Sequence, residues 1–125
     1  MDNISKSILI IEDEEPMAKV LKDKLKNVGY NVEYFLTASK GLDALKRGKY
    51  DLIVLDIILP GMDGFQFLEE VKKRNIQVPV IITSNLGSAE DIEKAKNLGA
   101  KYYIIKAETT MDEMVNRIKR FLENK

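Results

Sequence analysis

Four short apolar runs in this sequence each end in polar side chains of a different kind. The runs and the groups that follow them are residues 8–11 with Glu12 and Asp13, residues 52–55 with Asp56, residues 80–82 with Thr83, and residues 103–105 with Lys106. Parallel strands of one sheet have their carboxyl ends at the same edge, so four parallel strands would bring these groups together. A meeting of carboxylates, a hydroxyl and an ammonium suits a divalent cation and a phosphoryl group.

Stretches with helical spacing separate the apolar runs, and this alternation predicts an α/β domain with a parallel sheet. Residues 31–35 alternate polar and apolar, which is typical of an edge strand. The side chains predicted to face the core from five helices are Met17, Val20, Leu21, Leu25 and Val28; Leu42 and Leu45; Phe65, Leu68 and Val71; Ile92, Ala95 and Leu98; and Met111, Met114, Val115, Ile118, Phe121 and Leu122. The fourth helix offers few apolar positions, so we expect it to be the least firmly packed.

Local signals place the ends of several helices. Pro16 and Gly29 bound the first helix, and Gly48 ends the second. Asp63 is a predicted N-cap, while Ser88 with Asp91 and Thr110 with Glu113 resemble capping boxes. Five strands and five helices in strict alternation fit a doubly wound sheet, in which ligands bind beyond the carboxyl ends of the strands.

Composition restricts the chemistry available to the chain. Its 125 residues predict one domain spanning residues 1–125, with 20 Lys and Arg balanced by 20 Asp and Glu. This balance argues against direct binding of nucleic acid or of an anionic membrane surface. The sequence has no histidine and no cysteine, so acid–base or nucleophilic work falls to other side chains. With no apolar run long enough to span a membrane and no secretory pattern, we expect a cytoplasmic location.

The segments 8–14, 55–64, 82–84 and 103–106, in this order and spacing, resemble the receiver domains of two-component response regulators. The resemblance covers essentially the whole chain. It implies a flavodoxin-like fold with five parallel strands in the order 2-1-3-4-5 and five helices. It further implies a signalling switch that catalyses only its own phosphorylation and dephosphorylation, and whose output is protein–protein contact through the fourth helix, fifth strand and fifth helix.

The resemblance also assigns roles to the acids at the strand ends. Asp56 would accept a phosphoryl group from a phosphohistidine on a partner histidine kinase or histidine phosphotransfer protein. The cofactor would be Mg²⁺, with Asp13, Asp56 and the backbone carbonyl of Ile58 as direct ligands and Glu12 acting partly through water. The downstream partner, either a separate protein or an output domain, is not identified by the sequence.

Three further residues receive roles from the same resemblance. Lys106 would neutralise the phosphoryl oxygens, and the Thr83 hydroxyl would donate a hydrogen bond to one of them. Thr83 and Tyr103 would form the conformational switch that reports phosphorylation. Tyr102, its neighbour on the strand, is expected to face the opposite side of the sheet.

Simpler interpretations stand beside these. Asp56 could cap a turn, the acids near Pro16 could form a solvated cluster, Lys106 could be a solvated lysine and Tyr103 a core aromatic. At the level of function, one alternative is a Mg²⁺-dependent phosphatase that works through an aspartyl phosphate, although residues 57 and 58 supply no second acid. Another is a degenerate receiver that binds partners without being phosphorylated.

The sequence departs from the receiver pattern at two places. Ala107 follows Lys106 where receivers usually have a proline joined by a cis peptide bond, and we predict a trans bond here because a cis bond before a non-proline residue costs about 3–4 kcal/mol. Ile58 and Asn85 flank the path of the hydrolytic water in the family. Ile58 cannot orient a water by hydrogen bonding, although Asn85 has the groups to do so, and we predict slow self-dephosphorylation.

Overall fold

The computed structural model of the protein describes residues 5–123, so residues 1–4 and 124–125 of the predicted domain lie outside it. The strands and helices alternate strictly along this range. In chain order they are β1 (Ser7–Ile11), α1 (Glu15–Asn27), β2 (Asn31–Phe35), α2 (Ala38–Arg47), β3 (Leu52–Leu55), α3 (Gly64–Lys73), β4 (Val80–Ser84), α4 (Ala89–Asn97), β5 (Tyr102–Ile105), a 3₁₀ turn (Lys106–Glu108) and α5 (Met111–Glu123).

The strands form one parallel sheet in the order β2-β1-β3-β4-β5. This order, the parallel pairing and the five α-helices confirm the predicted fold class. β3 lies between β1 and β4 and is buried along its whole length, while β2 and β5 are the edge strands. All five strands therefore direct their carboxyl ends to one edge of the sheet.

Helices cover both faces of the sheet and divide the core into two layers. The core side chains of α1 and α5, such as Leu21, Leu25 and Ile118, pack on one face. Those of α2, α3 and α4, such as Leu42 and Phe67, pack on the other. Within the described residues no helix is long and apolar enough to cross a membrane.

The predicted core is wrong at two positions. Val20 and Val28 are 45% and 41% exposed, because the buried stripe of α1 is formed by Ala18, Leu21 and Leu25. In α3 the predicted Phe65 is partly buried and packs against the core, but the fully buried aromatic side chain is Phe67, which the prediction omitted.

The helix termini follow their sequence signals. Asp63 and Gln66 form a reciprocal capping box at α3, with both hydrogen bonds at 2.9 Å. Thr110 and Glu113 form a second capping box at α5, and the Ser88 hydroxyl accepts a hydrogen bond from the Asp91 N–H at the start of α4. As predicted, α4 is weakly packed, with Ala95 its one buried residue.

The start of α3 lies unusually close to the end of β3. A Cβ atom added to Gly64 would lie 2.6 Å from the Ile57 Cα and 2.8 Å from the Asp56 carbonyl oxygen. The Gly64 N–H also donates a hydrogen bond to the Ile57 carbonyl at 2.8 Å. Glycine at position 64 therefore lets α3 pack directly against the backbone of the segment that carries Asp56.

Gly64→Ala is expected to lower the free energy of unfolding by about 2 kcal/mol, because the added methyl group overlaps backbone atoms that cannot rotate away. Urea denaturation followed by circular dichroism measures the change. Gly48→Ala is the matched control, since a Cβ there makes only ordinary contacts with the Tyr50 side chain, the nearest at 3.5 Å. Equal losses in the two variants would contradict the role assigned to Gly64.

Candidate functional site

The carboxyl end of β1 presents two acids in different environments. The Glu12 N–H donates to the Phe35 carbonyl at 3.1 Å, which continues the β1–β2 ladder by one residue. The Glu12 side chain is thereby directed into the fold and is 4% exposed, whereas Asp13 is exposed. One Glu12 carboxylate oxygen accepts a hydrogen bond from the Glu14 N–H at 3.1 Å.

Asp56 occupies the equivalent position at the end of β3. Its N–H donates to the Ile11 carbonyl at 3.0 Å, so the backbone at Asp56 is tied to the end of β1. Its Oδ1 accepts a hydrogen bond from the Ile58 N–H at 3.1 Å, and the side chain lies in the turn that leads to α3. Asp56 is 4% exposed, which is unusual for an acid without a charged partner.

Lys106, at the end of β5, supplies that partner. Its Nζ lies 2.6 Å from Glu12 Oε1 and 2.9 Å from Asp56 Oδ2, and its side chain is 6% exposed. One ammonium therefore bridges two buried carboxylates that come from different strands. The simpler interpretation of Lys106 as a solvated lysine is wrong.

Burial and the ion pairs act in opposite directions on the pKa values at this site. Burial raises the pKa of the Glu12 carboxyl, the hydrogen bond from Lys106 opposes the rise, and the charge of Asp56 adds to it. Burial lowers the pKa of the Lys106 ammonium, but its hydrogen bonds to Glu12 and Asp56 outweigh this effect and leave that pKa raised. Lys106 is thus firmly held in its charged form.

Carboxylate oxygens of Glu12, Asp13 and Asp56 all lie within 4.8 Å of one another. Oxygen donors grouped in this way, one exposed and two buried, fit a hard divalent cation that retains some of its water. Asp13 is the member that solvent reaches. The structure thus brings together the three acids that the sequence singled out.

Thr83 and Tyr103 lie on neighbouring strands beside this cluster. Thr83, near the end of β4, is buried and opposite Ile104 in the β4–β5 register. Tyr103 packs against the same core layer as α3 and α4, and its hydroxyl donates a hydrogen bond to the Leu86 carbonyl in the loop between β4 and α4. Burial raises the pKa of the Tyr103 hydroxyl. As predicted, Tyr102 lies on the opposite face, with Arg117, Arg120 and Phe121.

The loop between β4 and α4 is tied to Tyr103 through its backbone. The Leu86 N–H donates to the buried Ser84 Oγ at 3.3 Å, while the Leu86 carbonyl accepts from Tyr103. The role of Leu86 was not predicted, because a contact made by a backbone carbonyl leaves no signal in the side chain. The role of Gly64 was not predicted either, although a glycine directly after an N-cap residue is a usable sign of close backbone approach.

The peptide bond between Lys106 and Ala107 is trans, as predicted, since no peptide bond in residues 5–123 is cis. The chain turns at once into the 3₁₀ turn Lys106–Glu108, and the Thr109 N–H donates to the Lys106 carbonyl at 3.2 Å. Ala107 is exposed on this turn. Replacement of proline by alanine therefore leaves Lys106 in contact with both carboxylates.

The fold and the site together define a doubly wound α/β domain with an acidic, lysine-bridged site at the carboxyl edge of its sheet. Comparison with protein families identifies this class: the model of the response regulator receiver domain matches residues 8–119. The chain belongs to the response regulator receiver domain family. The predicted family is thereby confirmed.

Individual relatives agree with this assignment. Transcriptional regulatory protein YkoG of Bacillus subtilis is 37% identical over 115 residues, which are 92% of this chain and 50% of YkoG. A CheY-like response regulator receiver domain protein from Methanospirillum hungatei superposes with a TM-score of 0.87 at 31% identity, covering 96% of this chain and 95% of that one. The non-phosphorylated HemR receiver domain from Leptospira biflexa gives a TM-score of 0.88 at 28% identity, covering 97% of each chain. The chain spans about half the length of the curated relatives it matches.

Lys106→Met is expected to lower the free energy of unfolding by about 3 kcal/mol in metal-free buffer at neutral pH, because two buried carboxylates lose the charge that neutralises them. Urea denaturation measures the loss. Lys24→Met is the matched control, since the Lys24–Asp112 pair is exposed and such pairs contribute about 1 kcal/mol or less. A loss no larger than that of the control would show that the Lys106 bridge is not a stabilising contact.

Proposed function

We propose that this domain is the phosphoryl-accepting switch of a two-component system, in which Asp56 receives a phosphoryl group in a Mg²⁺-dependent reaction. The observation that carries the proposal is the bridging of Asp56 and Glu12 by the Lys106 ammonium at the carboxyl edge of the sheet. A site of this kind places a carboxylate nucleophile next to a fixed positive charge.

The transfer is a displacement at phosphorus. A carboxylate oxygen of Asp56 attacks the phosphorus of a phosphohistidine, an O–P bond forms, and the P–N bond to the imidazole breaks. The electron pair of the broken bond stays on the imidazole nitrogen, which takes up a proton. Because this chain contains no histidine, the donor lies outside it, and we propose a histidine kinase or a histidine phosphotransfer protein.

The acidic cluster is suited to hold the cofactor. Glu12, Asp13, Asp56 and the backbone carbonyl of Ile58 would hold Mg²⁺, which supplies positive charge to neutralise the incoming phosphoryl oxygens. Close grouping of the three carboxylates supports this assignment. Lys106 contributes a second positive charge, 2.9 Å from Asp56 Oδ2.

We assign the conformational response to Thr83 and Tyr103. The Thr83 hydroxyl would donate a hydrogen bond to a phosphoryl oxygen on Asp56, and its movement would alter the space available to Tyr103. Tyr103 already contacts the Leu86 carbonyl, so a change at Thr83 would reach the loop that leads into α4. The weak packing of α4 supports this route, because an element with one buried residue is easily displaced. Phosphorylation then shifts the balance between two arrangements.

The output is proposed to be a change in protein–protein contact through α4, β5 and α5. Three curated relatives are named transcriptional regulatory proteins, and this chain matches about half of each. We infer that the surface is read by an output domain or by a separate protein. The balanced charge of the receiver itself argues against its own direct binding to nucleic acid. The cytoplasmic location stays a prediction.

Incubation with acetyl phosphate and Mg²⁺ is expected to add one phosphoryl group, detected by mass spectrometry of the intact protein. Asp56→Asn is expected to abolish the adduct, because the amide is a far weaker nucleophile than the carboxylate. Asp51→Asn is the matched control. Asp51 accepts a hydrogen bond from the Ser7 N–H at the opposite edge of the sheet, so this variant should react as the wild type does.

Two results of that experiment would contradict the proposed function. One is a wild-type protein that gains no phosphoryl group under conditions in which another receiver domain reacts. The other is an adduct that persists in Asp56→Asn. Repeated turnover of small phosphate esters, in place of a stable adduct, would favour the phosphatase alternative.

Ile58→Asn is expected to shorten the lifetime of phosphorylated Asp56 about three- to tenfold, the effect of one added hydrogen bond to the attacking water. Ile58 is 52% exposed, so the asparagine side chain would be in contact with solvent and would not disturb the core. Ile58→Leu cannot make that hydrogen bond and should keep the wild-type lifetime. Loss of the adduct is followed by mass spectrometry after the phosphoryl donor is removed. An unchanged lifetime in Ile58→Asn would show that this position does not limit hydrolysis.

A further inference from the structure

Thr109 makes a contact that the family resemblance does not explain. Its hydroxyl donates a hydrogen bond to the Ile105 carbonyl at 2.9 Å, and its N–H donates to the Lys106 carbonyl at 3.2 Å. Two successive carbonyls, the last of β5 and that of Lys106 itself, are therefore held by one residue. Thr109 is partly buried, while Ala107 and Glu108 between the two anchor points are exposed.

This part of the backbone has little else to restrain it. β5 is an edge strand, and in the turn Lys106–Glu108 that follows, Ala107 and Glu108 are exposed and only the Lys106 side chain reaches into the site. Ala107 lacks the ring that would fix φ in proline. A short side-chain hydrogen bond to the backbone is an efficient restraint at such a place, because it closes a loop of only a few residues.

The restraint acts on the residue whose placement matters most at the site. The Thr109 hydroxyl fixes the peptide group that joins Ile105 to Lys106, from which the lysine side chain extends to Glu12 and Asp56. A lysine side chain is long, so a small rotation at its base displaces the ammonium by a larger amount when the side chain keeps its staggered rotamer. The ammonium must lie within hydrogen-bond distance of two carboxylates at once, so its position can vary only slightly before one of the two hydrogen bonds is lost.

We propose that Thr109 is a positioning residue for phosphoryl transfer: its hydroxyl anchors the turn after β5 and so holds the Lys106 ammonium against Asp56. The inference rests on the proposed function, because it concerns the rate at which Asp56 accepts a phosphoryl group. It assigns Thr109 no contact with the phosphoryl group itself. In this chain the hydroxyl supplies the local stiffness that Ala107 does not.

The adjacent Thr110 separates this role from a purely structural one. The Thr110 hydroxyl accepts from the Glu113 N–H at 3.1 Å, and the Glu113 carboxylate accepts from the Thr110 N–H at 3.1 Å. Thr110 thus caps α5 and does not hold the end of β5. Thr109 bonds to the end of β5 and Thr110 caps α5, so substitutions at these two adjacent threonines form a matched pair of variants.

The test compares Thr109→Val, Thr109→Ser and Thr110→Val by the initial rate of phosphorylation with acetyl phosphate at saturating Mg²⁺. Valine keeps the size and shape of threonine, and the extended backbone at position 109 (φ −138°, ψ 127°) suits a β-branched side chain, so Thr109→Val should fold. Its rate is expected to fall about three- to tenfold, the effect of losing one neutral hydrogen bond. Thr109→Ser should retain a rate within about twofold of the wild type, because the hydroxyl is kept.

Thr110→Val is expected to lower the urea midpoint of unfolding through loss of the α5 cap, while the folded protein keeps the wild-type phosphorylation rate. A second measurement does not depend on phosphorylation. The ¹³Cε–¹Hε NMR signal of Lys106 should shift or broaden in Thr109→Val and stay as in the wild type in Thr109→Ser and Thr110→Val.

Three results would overturn the inference: a wild-type rate in Thr109→Val, a rate in Thr109→Ser as low as that in Thr109→Val, or an equal slowing in Thr110→Val. If the wild-type protein accepts no phosphoryl group, the proposed function fails. The Lys106 NMR signal then decides the positioning role alone, and an unchanged signal in Thr109→Val overturns it.

Discussion

The site depends on one ammonium group, that of Lys106, which neutralises the charge of two buried carboxylates. Glu12 and Asp56 are each 4% exposed, and two acids so placed would repel one another and resist ionisation without a counter-charge. Lys106 reaches both of them from β5. This is possible because β1, β3 and β5 run parallel and end at one edge of the sheet. The ion pairs therefore require the observed strand arrangement, and they stabilise that arrangement in return.

The same arrangement explains how a local chemical change could be transmitted. A buried residue, Thr83, lies at the end of β4 between the strands that carry Asp56 and Tyr103. The Tyr103 hydroxyl is bonded to the Leu86 carbonyl, and Leu86 is bonded in turn to Ser84 at the end of β4. These contacts join the site to the loop before α4, which is the most weakly packed helix of the described structure. A change in charge at Asp56 is therefore connected to α4, the helix that gives up the fewest buried contacts when it moves.

Much of this arrangement could be predicted from the sequence. Strand ends are marked by a change from apolar to polar residues, and caps by specific side chains, so the meeting of Asp13, Asp56, Thr83 and Lys106 followed from the assumption of a parallel sheet. The strand order itself came from the family resemblance, because the lengths of the connections do not determine it. The sequence alone does not show that Glu12 is buried and Asp13 exposed. This difference arises because the alternation of β1 continues one residue past Ile11.

The errors in the core have a physical cause. Val20 lies in α1 and Val28 is its C-cap residue, but α1 buries only the narrow stripe Ala18, Leu21 and Leu25. In α3 the prediction omitted Phe67, which is fully buried, while Phe65 packs against the same core layer and is partly exposed; α3 contacts both α2 and α4, so its buried face is wider than a single stripe. A periodic pattern identifies a buried face but not its width, which depends on the neighbouring elements.

Chemical mapping of the phosphorylated residue tests the central claim most directly. Borohydride reduces an acyl phosphate of aspartate to homoserine, and peptide mass spectrometry then locates the modified position. After reaction with acetyl phosphate and Mg²⁺, the assignment of Asp56 as acceptor predicts homoserine at position 56 and at no other acid. Homoserine at position 13 in place of 56, or reduction spread over several surface acids, would contradict it.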